Sequence, residues 1–101
     1  MPGTCQNRFT IIGPAKDLKK FYHRASWISE IRARFLELLE KSPGRYSWQF
    51  ETDEPPLQFL KQLSVQWPGL MFFLDYEREE ERIKGSALMQ CGKIRHSRFK
   101  Y

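Results

Sequence analysis

No stretch of about 18 apolar residues occurs in the sequence, so a membrane-crossing helix is not expected. The first residues, MPGTCQNR, show no basic start leading into an apolar stretch; no secretory signal is read, and the expected compartment is the cytoplasm. Cysteine is scarce. Cys5 and Cys91 are the only two, and in a reducing cytosol they read as small, partly buried apolar side chains. With His23 and His96 they make four metal-capable side chains, but neither a Cys-x-x-Cys nor a paired-histidine spacing is present. A metal needs convergent ligands, so none is expected. The absence of a glycine-rich loop of the Walker or dinucleotide type argues against a bound cofactor. Cys91 and His96 are close in sequence across an expected turn, but no third group would orient the histidine, so no enzyme is expected. Internal repeats and low-complexity segments are also missing.

What is present suits one domain over residues 1–101. The chain is 41% hydrophobic and 15% aromatic, enough for a core without a disulfide or metal staple. Its net charge of +5 is unevenly spread. Residues 16–45 are basic on balance, 51–82 acidic, and 83–101 carry five bases and no acid. A basic chain favours an anionic partner such as nucleic acid. The acidic run 75–82 (DYEREEER) opposes that wherever it lies nearby.

Patterning predicts the elements. Arg8 to Ile12 is β-branched and aromatic and stops at Gly13-Pro14, which reads as a strand. Leu18, Phe21, Tyr22 and Ala25 recur at helical spacing over 14–25 while Lys16, Lys19, Lys20 and Arg24 face elsewhere, an amphipathic helix with a basic outer face. Ile28, Ile31, Phe35, Leu38 and Leu39 form a second helical stripe over 28–40, with Ser42-Pro43-Gly44 ending it; one long helix, a kinked one or two helices over 14–41 all fit, and two with a break near Ala25–Trp27 is the preferred reading. Tyr46-Ser47-Trp48-Gln49-Phe50-Glu51 alternates strictly and predicts a half-buried strand. Prolines bracket a helix over 56–67. Strands follow over 70–77 and 83–90 with a charged hairpin tip between, and 93–101 reads as a basic edge strand or tail. This order predicts an α+β fold: a ferredoxin-like sandwich of a four-stranded antiparallel sheet with helices on one face and an extra helical segment between the first helix and the second strand.

The opening Cys5-Gln6-Asn7-Arg8-Phe9-Thr10-Ile11-Ile12-Gly13-Pro14 resembles the start of the YubB-type family, small proteins of plasmids and phages. Phe50-Glu51-Thr52, Pro55-Pro56, Leu63-Ser64, Trp67-Pro68, Phe72 to Tyr76 and Gly85 resemble its second half. The resemblance implies a ferredoxin-like domain encoded on a mobile element. It implies no activity and no functional residues.

Two functions remain. One is a small non-enzymatic interaction module, binding a protein partner or itself. Trp27, Ile28, Phe35 and Leu39 on the extra helical segment would need a partner if the other helices already cover the core. The alternative is a nucleic-acid-associated protein contacting phosphates through Lys16, Lys19, Lys20 and Arg24 together with Lys93, Arg95, Arg98 and Lys100. Base stacking on the open sheet face is disfavoured, because four strands would show two bases against three acids there and only Phe73 could stack.

Overall fold

Alternation decides which side of each strand is buried. In Cys5–Ile12 (β1), the side chains of Cys5, Asn7, Phe9 and Ile11 turn to one face. In Arg45–Thr52 (β3) the same face carries Tyr46, Trp48 and Phe50, and in Met71–Arg78 (β4) it carries Phe72, Leu74 and Tyr76. All of these are buried. The computed structural model describes residues 4–24 and 26–101. Among them the helices Ala15–His23 (α1), Ser26–Glu30 (α2) and Leu57–Gln66 (α3) bring Leu18, Phe21, Trp27, Leu60 and Leu63 onto that one face. The opposite face is open.

Among the described residues the sheet has six strands, all antiparallel, in the order β2-β3-β1-β4-β5-β6, with Arg34–Ser42 as β2, Ile83–Gln90 as β5 and Lys93–Lys100 as β6. This corrects the expected four-stranded ferredoxin-like sandwich at both sides. On one side, residues 93–100 are a full edge strand paired along β5 from Gln90↔Lys93 to Ile83↔Lys100. On the other, the expected helix over 28–40 does not form. Its first part is the five-residue α2, and from Arg34 onward the chain is β2, hydrogen-bonded to β3. The predicted break near Ala25–Trp27 falls partly outside the described residues. Within them, α1 ends at His23 and α2 begins at Ser26.

The pairing of β2 explains why its sequence reads as a helix. Arg34, Glu37 and Glu40 lie opposite Glu51, Gln49 and Ser47, while Leu38 and Lys41 lie opposite Trp48 and Tyr46. Register shifts fall between Arg34 and Glu37 and again between Leu38 and Glu40. Each bulge inserts one residue, so successive positions on one face are three apart instead of two. Three is close enough to the helical 3.6 to give the same stripe. Leu, Glu and Lys add helix propensity, which strand pairing overrides here.

The core is largely aromatic. Phe9 lies at its centre, with ring centroids 5.3 Å from Trp27, 5.9 Å from Trp48 and 5.7 Å from Phe72. Trp27 also lies 5.3 Å from Trp48 and 5.9 Å from Phe50. The second sheet half closes differently. Tyr76 on β4 is opposite Gly85 on β5, and its hydroxyl reaches across to His96 Nε2 on β6 at 2.5 Å. A Cβ at position 85 would fall inside the Tyr76 ring. Gly85→Ala is therefore expected to destabilise the fold by roughly 1–3 kcal/mol through overpacking. Gly44→Ala, where a Cβ meets nothing within 4 Å, should move the urea midpoint far less, and equal shifts would refute this account.

Candidate functional site

A six-stranded open sheet has two edges, and here they differ in chemistry. β6 carries Lys93, Arg95, Arg98 and Lys100 with no acid, all exposed, and none is in an ion pair among the described residues. Lysine and arginine along an edge discourage further strand pairing. β2 is the reverse. It carries exposed Phe35, Leu36, Leu38 and Leu39, from 38% to 80% exposed. No described helix roofs it, because Phe21 of α1 and Trp27 of α2 pack on Phe9 of β1 and Trp48 of β3.

Between α2 and β2 this leaves an apolar groove of about 390 Å³ lined by Tyr22, Trp27, Ile28, Leu36, Leu38 and Trp48. Trp27 and Trp48 are buried at its floor. The Lys41 ammonium lies 4.1 Å from the centre of the Tyr22 ring, a cation–π contact. The first bulge gives Phe35 a φ of 54°, a left-handed conformation that a bulky residue rarely adopts. Its ring is 80% exposed, the largest exposure of any large apolar side chain described. Salt bridges Arg34–Asp53 at 3.1 Å and Arg45–Glu40 at 3.2 Å tie the strand to its neighbours. Being exposed, each adds about 0–1 kcal/mol.

Of the four residues expected to bind a partner, Trp27 and Ile28 line this groove and Phe35 and Leu39 do not, though both are exposed on the neighbouring strand. Phe35 and Leu39 belong to a strand edge and not to a helix. Ile28 is a groove wall, and Trp27 is a core residue at the groove floor, 2% exposed. The structure adds Leu36, Leu38 and Tyr22. A hidden period of two interrupted by bulges was the missing signal.

The expected phosphate-binding residues are not brought together. Lys16, Lys19 and Lys20 are exposed on α1, with Arg24 at its end, and α1 packs against β3. β6 is four strands from β3 in the sheet order, about 19 Å at the usual strand spacing. The register also divides the β6 bases, with Lys93 and Arg95 on the open face and Arg98 and Lys100 on the helix side.

The open face has two shallow hollows. One, of about 470 Å³, is lined by residues including Arg8, Asp75, Glu77, Lys84 and Phe99. The other, of about 400 Å³, includes Phe73, Leu88 and Arg95. β6 adds Phe99 as a second ring and Lys93 and Arg95 as bases, while β2 adds Arg34, Glu37 and Glu40, so the face stays charge-balanced. Cys91 and His96 have different partners. The Cys91 thiol is 3.5 Å from the Pro68 carbonyl, whereas His96 is bound to Tyr76 and lies three residues into β6. No cluster of three metal-capable side chains occurs among the described residues, and no described helix is long and apolar enough to cross a membrane. Comparison with protein families, with curated proteins and with solved structures finds no match for this chain.

The two thiols differ sharply. Cys5 is fully buried, and burial pushes its thiol up from 9.0 to about 11, against a smaller opposing effect of Arg78. Cys91 is exposed. A thiol reagent at pH 8 is expected to modify one cysteine in the native chain and two after denaturation. The fold keeps Cys5 protonated at pH values where the unfolded chain loses that proton, so stability should fall as pH rises from 9 to about 11. Cys5→Ala should remove that part of the slope, and an unchanged slope would contradict it.

Proposed function

We propose that this chain is a non-enzymatic interaction module of the cytoplasm that binds protein through the β2 edge. Its YubB-type resemblance supports an origin on a plasmid or phage. One observation carries the reading: an unroofed edge strand with four exposed large apolar side chains beside a groove floored by two tryptophans. Exposed strand backbone accepts an added strand, and alternate side chains fill neighbouring pockets. Exposed apolar side chains clustered beside a groove mark an interaction site where singly scattered ones do not. The nucleic-acid alternative has weaker support, since its two basic sets lie apart.

Site-specific photocrosslinking tests the choice. A benzophenone side chain at position 39 is expected to give protein adducts in expressing cells, and one at position 95 is not. The reading fails if position 39 gives no protein adduct while the chain binds DNA or RNA with a salt slope that neutralising Lys93, Arg95, Arg98 and Lys100 removes.

A further inference from the structure

We propose that the partner at the β2 edge is a second copy of this chain, joined edge to edge about a two-fold axis; this rests on reading that edge as a protein interface. The edge carries both halves of a fit. Phe35 projects as a knob, 80% exposed, and the groove of about 390 Å³ on the same edge is a hole with apolar walls. A two-fold interface uses one patch twice, so each chain's knob has a hole waiting on the other.

Charge points the same way. A molecule of net charge +5 repels its own copy at the basic faces of α1 and β6. β2 carries Arg34 and Lys41 against Glu37 and Glu40, and is neutral. Reversed against itself about Glu37, the strand sets Arg34, which Asp53 of its own chain also holds, opposite the partner's Glu40, twice over by symmetry, and brings the two Glu37 carboxylates together as one like-charge pair at the axis. It also sets Phe35 and Leu36 opposite the partner's Leu39 and the partner's Leu38. Opposite-charge and apolar cross-strand pairs are the favourable ones. The Glu37 carboxylate nearest the axis already accepts a hydrogen bond from the Gln49 amide at 2.9 Å.

Backbone strain is the third support. At φ 54° a glycine or asparagine would sit more easily than phenylalanine. The isolated chain gains little from a ring that is mostly in water, so the benefit of keeping it lies with another molecule.

Sedimentation equilibrium of the full chain, from about 1 to 500 μM, provides the test. The mass is expected to rise from 12.1 kDa toward twice that value, with a dissociation constant that changes less than about threefold between 0.05 and 0.5 M salt because the joined edges are neutral. Phe35→Asn should weaken association at least tenfold, yet raise the urea midpoint of the monomer at low concentration, which separates a lost contact from a lost fold. Neutralising the four β6 bases should leave association unchanged. A mass fixed at 12.1 kDa overturns the second-copy assignment, as does a dimer that survives Phe35→Asn or dissolves with the β6 changes. If position 39 then still crosslinks to a different protein, only the partner's identity was wrong. Absence of any adduct removes the interaction reading itself.

Discussion

The insertion of Trp27 between the rings of Phe9, Phe21, Trp48 and Phe50 holds the architecture of this chain in place. A five-residue helix has no stability of its own. α2 exists because its tryptophan is buried on β1 and β3, each aromatic contact adding about 0.5–1.5 kcal/mol beyond area burial. The indole N–H has no hydrogen-bond partner there, at a cost of about 1–3 kcal/mol, so ring packing outweighs it. Where Trp27 sits also decides what stays uncovered. It pulls the connection over the central strands, and the next strand emerges beyond the helical layer with its leucines in water.

The central sheet was readable because its strands keep an unbroken period of two. Tyr46-Trp48-Phe50 and Phe72-Leu74-Tyr76 each mark a buried face, and both are buried. Pro14, Pro56 and Pro68 mark helix boundaries correctly to within a residue or two. β2 was unreadable for a specific reason. Two bulges stretch its spacing to three, and its leucines and glutamates favour helix, so local preference and periodicity agreed on the wrong element. β6 was readable as one of two alternatives, an edge strand or a tail, and is the strand; basic residues at both parities hide its alternation.

The site was partly readable in consequence. Sequence spacing picked out Phe35 and Leu39 as apolar residues in excess of the core, and they are exposed. It placed Trp27 with them, although that ring belongs to the core. It missed Leu36 and held Leu38 only as part of a helical stripe; both line the groove because the strand exists. The basic residues illustrate the limit of counting charge along a chain. Eight of them look like one surface in sequence, and topology distributes them over a helix and a strand four positions away.

The contrast between the two outer strands sets how far this sheet can be extended. One margin is neutral and apolar, and the other carries four like charges. Were the neutral margin joined to a second copy, both ends of the longer sheet would be charged margins, and growth would stop at one junction.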